Sequence, residues 1–299
     1  MDKPYYTLND YLKSTYGKKC FKVSVNAGLT CPNRDGTLDS RGCIFCSAGG
    51  SGDFACNISS ALQTVRDNSD NNYIVYFQAF TNTYGDIDYL ESIYRQALAP
   101  DNVIGISIGT RPDCLSDSVM ELLTTLQNEY SESGKFIWIE LGLQTIHEHT
   151  AKYIRRHYAL SVYDEAVAKL NDCNIPYITH IILGLPNETP EMMLDTVSYV
   201  CSKNPFGIKL QLLHVLEHTD LADDYNSGLF ETMTMDEYID IVISCLRIIP
   251  PQISLHRVTG DGPKDILISP RWSTNKKVVL NTLHKKMWKN GYTQGDLYL

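Results

Sequence analysis

The chain has 299 residues, 43% of them hydrophobic and 20% charged, with a net charge of −9. This composition suits a soluble globular protein with one large core or two small ones, and no low-complexity segment, long linker or solenoid repeat is present. No stretch reaches the length of a membrane span, and the overall charge does not advertise nucleic-acid binding. The charge is uneven, however. Residues 1–30 hold five Lys against two Asp, and residues 256–299 hold eight Lys and Arg against three Asp, which leaves the body between them at −17. If the two ends meet in the fold they form a local basic face; the alternative is ordinary solvated lysines.

The N-terminus, residues 1–11, is polar and tyrosine-rich and lacks an apolar signal core, so a cytoplasmic location is expected. A short β-like run, residues 21–26, follows. Next comes a loop rich in Gly, Asp, Asn and Pro that carries Cys31, Cys43 and Cys46. In a cytosolic chain, clustered cysteines serve metals or catalysis more often than disulfides. Three thiolates can hold three corners of a [4Fe–4S] cluster and leave one iron open. The spacing favours that reading. Zinc stays open as a rival, with Cys20 or Cys56 as fourth ligand. The remaining cysteines, Cys114, Cys173, Cys201 and Cys245, are scattered and read as small core residues.

Strand and helix patterns then alternate. Apolar runs at 73–78, 103–108, 136–141, 177–182 and 208–213 are strands, and amphipathic stretches near 59–69, 86–99, 115–131, 161–173 and 190–203 are helices. Thr189-Pro190-Glu191 is a helix start with Pro in its first turn, and Asp113 is a candidate cap for the helix near Leu115. The order predicts an α/β fold with a parallel sheet, either a full or partial barrel or an open doubly wound sheet. In each case function belongs at the C-terminal ends of the strands. Polar groups do follow the runs: 78–85, 109–113, 140–145 and 184–189.

In these motifs the sequence resembles the radical SAM superfamily. It is similar to the branch that holds the catalytic subunit of elongator and oxygen-independent coproporphyrinogen oxidase, and within it to the YhcC/YtqA-type subgroup. The carriers are the cysteine loop, Gln78-Ala79-Phe80-Thr81-Asn82-Thr83-Tyr84, Gly109-Thr110-Arg111-Pro112-Asp113, Glu140-Leu141-Gly142-Leu143-Gln144, residues 180–186 and residues 256–264. The resemblance implies a partial (β/α)6 TIM-like barrel over residues 21–250, with an N-terminal extension (1–20) and a C-terminal extension (251–299) packed on the core. It implies a [4Fe–4S] cluster on Cys31, Cys43 and Cys46, and S-adenosylmethionine on its open iron. One electron would cleave the sulfonium to give a 5′-deoxyadenosyl radical.

For the cofactor, the resemblance points to Ala79, Phe80 and Thr81, whose backbone would face the methionine amino group, and to Gln144 and His180. Either Arg155 or Arg156 would meet the carboxylate, with Arg156 the choice. His180 has a plain alternative as a hydrogen-bonded core histidine. Relatives often carry Glu where this chain has Gly109, so Glu140 is a candidate substitute at the ribose. Substrate candidates are Lys209, Gln211, His256, Arg257 and Asp261, with His214, Glu217 and Lys264 nearby. Residues 260–263 form a tight turn that could act as a lid or be a plain surface loop.

The subgroup implies tRNA as substrate, with wobble-uridine carboxymethylaminomethyl groups processed toward aminomethyl. It also implies an electron donor such as flavodoxin or ferredoxin, and a downstream methyltransferase. A small metabolite is the competing substrate reading. A zinc-stabilised RNA-binding module is the non-enzyme reading.

Overall fold

The structure is a computed structural model that describes residues 3–260 and 262–298. Among the described residues, ten strands and ten α-helices follow in chain order. The first half holds α1 (Leu8–Tyr16), β1 (Cys20–Asn26), β2 (Cys56–Asn57), α2 (Ile58–Asp67), β3 (Asn72–Phe77), α3 (Ile87–Leu98), β4 (Val103–Thr110) and α4 (Asp117–Ser131). Then come β5 (Phe136–Gln144), α5 (Glu148–Tyr153), α6 (Leu160–Asp172), β6 (Tyr177–Leu183), α7 (Pro190–Ser202) and β7 (Gly207–Leu212). The chain ends with β8 (Val215–Leu216), α8 (Asp220–Asn226), α9 (Met235–Ile248), β9 (Ser254–Arg257), β10 (Leu267–Ser269) and α10 (Lys276–Asn290).

The alternation is written locally. Each apolar run gives a strand, and a capping side chain then starts the next helix. Asn57, Asp86, Ser116, Thr189 and Thr234 each accept a hydrogen bond from the first-turn amides of the helix that follows. At α4 the expectation is corrected. Ser116 is the cap, while Asp113 instead holds Arg111 at 2.9 and 2.7 Å.

Eight strands form one sheet in the order β2-β1-β3-β4-β5-β6-β7-β9, with every neighbouring pair parallel. The six strands read from sequence are its middle. The two edge strands, β2 and β9, are short and lack an apolar run, which is why the pattern did not show them. The sheet curls. Lys209 of β7 reaches the hydroxyl of Tyr76 on β3 at 3.2 Å, although four strand spacings, about 19 Å on a flat sheet, separate those strands. β2 and β9 remain unpaired with each other, so the barrel is partial.

The main core lies between the sheet's outer face and the helices, with Phe77, Tyr94, Ile106, Leu123, Tyr163 and Leu246 fully buried. A second cluster closes the interior at the N-terminal ends of the strands. There α1 inserts Leu12 among Ile74, Ile104, Phe136, Trp138 and Ile178. Phe136 stacks on Trp138 at 3.9 Å, and Phe206 tilts against Trp138 at 4.8 Å. One end of the half-barrel is therefore plugged with apolar side chains, and the opposite end is open.

The chain termini meet. Gln294 donates its amide to Pro4 O at 3.0 Å and accepts from the Tyr6 amide at 2.8 Å, and Tyr5 bonds His284 at 3.1 Å. The Leu255 amide donates to Tyr6 O, so the N-terminal segment lies along β9. The two basic ends of the chain thus lie side by side.

Candidate active site

The cysteine loop leaves β1 at the open end. Its turns are closed by backbone bonds: Arg34 N to Cys31 O (2.8 Å), Gly42 N to Asn33 O (2.7 Å) and Cys46 N to Cys43 O (3.0 Å). Arg34 threads back through the loop and donates to the carbonyls of Cys46 and Ser47 at 2.8 and 2.5 Å. It can do so because position 42 is glycine: a Cβ there would stand 2.9 Å from Arg34 Nε. Buried Asn33 donates to Arg155 O at 2.8 Å and to Cys43 Sγ at 3.4 Å, which fixes that sulfur.

All three cysteines face one cavity, at whose rim lie Phe80, Thr81, Arg111, Gln144 and Tyr158. Burial, and next the neighbouring Cys46, push the Cys43 thiol up to about 12, while Arg111 pulls the other way. Such thiols stay protonated until a metal pays for the charge. Cys20 sits at the other end of β1, and the Cys56 thiol donates to Ser24 O at 3.6 Å. Neither joins the cavity. Among the described residues no three His, Cys, Asp or Glu side chains converge on a single-ion site, which is what tetrahedral zinc requires.

Two further loops complete the wall. After β3 the chain turns sharply at Phe80, with φ of 63°. The amides of Gln78, Ala79, Phe80, Thr81 and Asn82 are all donated within the protein. What this turn offers a ligand is therefore carbonyl oxygen, an acceptor suited to an ammonium group. The Ala79 side chain itself packs on Gly52, where an added Cβ would lie 2.4 Å from it, while Phe80 and Thr81 line the cavity.

At the end of β5 the pairing with β6 shifts register between Gly142 and Gln144. Gln144 takes φ of 71°, and this bulge turns its carboxamide into the cavity. Its Oε1 is buried without a protein partner. That orphaned acceptor, the three thiols and the carbonyl turn fit a cluster with an amino-acid- and hydroxyl-bearing cofactor.

Arg156 also borders the cavity, but its guanidinium is committed. It donates to Tyr158 O (3.0 Å), Thr145 O (2.6 Å) and Glu148 (3.0 Å) and is 2% exposed. Arg155 is tied to Asp220. Both guanidinium groups tie loops: Arg156 has Glu148 as counter-charge, and Arg155, which is not among the cavity residues, has Asp220 and keeps its buried Nη1 without a partner. Arg111, part of the Gly109-Thr110-Arg111-Pro112-Asp113 motif, lies closer to the thiols. Its neighbourhood with Cys43 and Cys31 was invisible without the fold.

Below the cavity lies a buried charge cluster. Glu140 is 1% exposed and accepts from Lys22 (2.8 Å), Ser107 (2.7 Å), His180 (2.8 Å) and Lys209. Burial would raise its pKa, but Lys209, Lys22 and His180 outweigh that and hold it well below the usual range. Glu140 is thus fully engaged, and the suggestion that it serves the ribose is corrected. His180 lines the cavity and is the hydrogen-bonded histidine of the plain alternative. Burial, with Lys209 beside it, lowers it to about 4, so it is neutral and donates through Nε2.

Lys209, Gln211 and Arg257 line the same cavity, as does His214, which bonds Ser273 at 3.0 Å. His256 does not. It packs edge-on to Trp138 and Phe206 in the apolar plug, with Nε2 on Ser254. Its placement as a substrate group is corrected because β9 turns it toward the closed end. Asp261 lies outside the described residues. Gly260, Gly262 and Pro263 line the cavity, and the two glycines close on the His214 ring, where a Cβ on Gly260 would come within 2.2 Å. Glu217 and Lys264 are not among the cavity residues.

An open parallel half-barrel with three thiols after its first strand, facing a polar cavity at the strand ends, defines a metallocofactor enzyme of the TIM-like type. The radical SAM superfamily profile matches residues 40–200, and the radical SAM C-terminal domain profile matches residues 205–289. The chain belongs to the radical SAM superfamily. It is 44% identical to the uncharacterized protein YtqA of Bacillus subtilis, over 99% of this chain and 94% of that one. It is 31% identical to protein YhcC of Escherichia coli, over 94% and 91%. The solved structure of Methanocaldococcus infernus Elp3 superposes with a TM-score of 0.69 at 16% identity, over 92% of this chain and 64% of that one.

As a family member the protein is a radical SAM enzyme that uses a [4Fe–4S] cluster and S-adenosylmethionine and needs an electron donor. No helix among the described residues is long and apolar enough to cross a membrane.

Proposed function

We propose that this radical SAM enzyme modifies the C5 side chain of wobble uridine in tRNA, taking carboxymethylaminomethyl toward aminomethyl. The observation that carries the substrate reading is a basic track on the C-terminal segment. Ser273, which bonds His214 at the cavity, leads directly into α10. Exposed Arg271 and Lys277 stand at that end, and exposed Lys285 and Lys289 continue along the helix toward the junction with the N-terminal segment. A nucleic-acid backbone following this track would run from the closed end to the cavity mouth.

In this reading Cys31, Cys43 and Cys46 hold the cluster. The carbonyls of the 78–80 turn take the methionine amino group, and Gln144 Oε1 accepts from the cofactor. When bound, the pair supplies reductive cleavage of the sulfonium and abstraction of a substrate hydrogen. The protein's own groups orient, exclude water and keep the cavity floor charged: Phe80 and Tyr158 wall the site, Arg111 offsets thiolate charge, and neutral His180 holds its proton on Glu140. Flavodoxin or ferredoxin would supply the electron, and a methyltransferase would act on the aminomethyl product.

The test uses anaerobically reconstituted protein, S-adenosylmethionine, dithionite and tRNA from a strain lacking this protein. A wobble-uridine mass change with 5′-deoxyadenosine above the no-RNA control, both lost in Cys43→Ala, is the expected result. RNA binding should weaken as salt rises and on charge reversal of Lys276/Lys277 or Lys285/Lys286. Deoxyadenosine without a nucleoside change, and binding indifferent to both salt and reversal, would replace tRNA by a small metabolite.

A further inference from the structure

Asn33 is the second residue after Cys31, and it is 0% exposed although its side chain is polar. Its carboxamide serves one small region: Nδ2 donates to Arg155 O at 2.8 Å and to Cys43 Sγ at 3.4 Å. The other end of the group is orphaned, because Oδ1 is buried without a protein partner. Leaving a buried acceptor unmet costs stability, so what the position gains must come from its two donor bonds. Cys43 Sγ also stands 3.9 Å from Arg155 O, where a thiol can donate. Bound to metal, that sulfur is a thiolate and only accepts, and Asn33 is then its donor.

The orientation of this carboxamide is fixed. Arg155 O is an acceptor only, so the end that faces it must be the NH2 group; exchanging the ends would set two oxygens against each other. The carbonyl is itself held in place. Arg155 has φ of 57°, its amide donates to Lys152 O at 3.1 Å, and its guanidinium is paired with Asp220 at the start of α8. The same frame grips the residue after Cys43: the Ile44 amide donates to Ile154 O at 3.3 Å, and Ile44 O accepts from the Leu221 amide at 3.1 Å. Other polar groups of the loop are placed differently. Ser51 Oγ stands 3.7 Å from Cys46 Sγ, but a hydroxyl rotates and can accept as well as donate. Arg34 gives Nη2 to the Cys46 and Ser47 carbonyls, and Arg111 turns Nε and Nη2 to Asp113 and Arg156 O.

We infer that Asn33 tunes the reduction potential of the cluster by donating its side-chain N–H to the Cys43 sulfur. Reduction by the electron donor adds one negative charge, part of which falls on the ligand sulfurs. An N–H aimed at a sulfur stabilises the more negative form more than the less negative one, so it draws the couple toward reduction. The effect is strong where water does not compete, as at this fully buried side chain. Asn33 acts through Cys43, so it is a positioning residue for the electron-transfer step. The inference rests on the proposed placing of the cluster on Cys31, Cys43 and Cys46, and it is independent of the tRNA substrate.

The test is a potential, which a merely structural role would not move. Anaerobically reconstituted holoprotein is titrated with dithionite, and the midpoint is read from the EPR signal of the reduced cluster in the wild type, Asn33→Leu and Asp220→Ala. Leucine keeps the shape and has no donor. Asp220→Ala releases the Arg155 guanidinium and loosens the same loop, but leaves the Asn33 carboxamide. In Asn33→Leu the ratio of reduced to oxidised cluster at a fixed potential should fall about tenfold, ~59 mV for one electron, with iron retained. In Asp220→Ala it should change less than threefold.

A change below threefold in Asn33→Leu, or the same shift in both variants, overturns the inference and leaves Asn33 as a tie of the loop. If Asn33→Leu takes up no cluster, the wild type decides. Asparagine isotopically labelled only at its side-chain nitrogen is incorporated, and the reduced cluster is examined by pulsed EPR. A coupling to the labelled nitrogen supports the N–H···S bond, and its absence overturns it. A cluster that survives Cys43→Ala, read by iron analysis, overturns the placing of the cluster and the inference with it.

Discussion

Glu140→Gln is the sharpest probe of the buried charge cluster. The change keeps shape and removes one negative charge and one acceptor. Four donors converge on the two carboxylate oxygens, and those of Lys209 and Ser107 are buried. With Gln in place, one side of the group presents N–H to a donor, and Lys209 keeps its burial without its counter-charge. Breaking a buried pair by removing one partner costs about 3–5 kcal/mol. Against a total stability of about 5–15 kcal/mol that is a severe loss, worth roughly 6–20 °C in Tm for a chain of this size.

Lys22→Met is the internal control. The Lys22 side chain is 23% exposed, so water already shares its solvation, and Glu140 keeps three donors without it. Its loss should cost about 1 kcal/mol. Urea denaturation of both apo-proteins, with unchanged m-values as the check on two-state behaviour, measures the difference. A Glu140→Gln cost below about 1 kcal/mol, or equal to that of Lys22→Met, would refute the claim that one carboxylate organises the floor.

Other expectations follow from the same geometry. Cys31→Ala, Cys43→Ala and Cys46→Ala should each abolish the iron–sulfur absorbance, while Cys20→Ser and Cys56→Ser should keep full iron, because those two lie off the cavity; iron analysis of reconstituted protein decides it. Gly50→Ala places a Cβ 2.4 Å from the Phe80 ring at φ of 59°, so it should displace the cofactor turn and weaken S-adenosylmethionine binding about tenfold with iron retained, as read by equilibrium dialysis. The pH response has a definite sign. His180 is lowered from 6.5 to about 4, so the unfolded chain binds the extra proton between those values and stability falls as pH drops through that window, by about 3 kcal/mol for this group. Glu140, also held low, adds loss in the same direction at more acid pH. Denaturation of apo-protein at pH 7 and pH 5 should show the decline, and His180→Gln, which can still donate to Glu140, should flatten it.

The sequence pattern carried the sheet's middle because each central strand is an apolar run that stands alone, whatever it pairs with. It carried the thiol loop because three cysteines in a Gly- and Asp-rich segment have few other uses. It could not carry the edges. β9 reads Ser-Leu-His-Arg, and only its docking between β7 and the N-terminal segment makes it a strand. Nor could it say which polar residue is spent. Arg156 and Glu140 both looked like ligand groups, and both are consumed by partners that are distant in sequence or set by loop geometry. The same limit applies to His256, where the irregular pairing of β9 with β7 between Leu255 and Arg257 sets the ring against Trp138 and Phe206 at the closed end.

These misassignments share a cause with what the site does. Polar side chains on the inner face of a half-barrel have two neighbours to serve, the layer below and the ligand above. The apolar plug at Trp138 excludes water from the layer below, so charges there must neutralise one another, and Glu140 is placed to do so. Lys22, Ser107, His180 and Lys209 all turn their donors to that carboxylate, which leaves the loops at the rim to meet the cofactor. The two layers can then vary independently. Exchanging Gln211, which lines the cavity outside the Glu140 cluster, should leave the iron and S-adenosylmethionine bound. A Gln211→Leu variant that keeps its cluster and abortive deoxyadenosine formation is the outcome this division of labour requires. Parallel loss of both properties would show that floor and rim act as one unit.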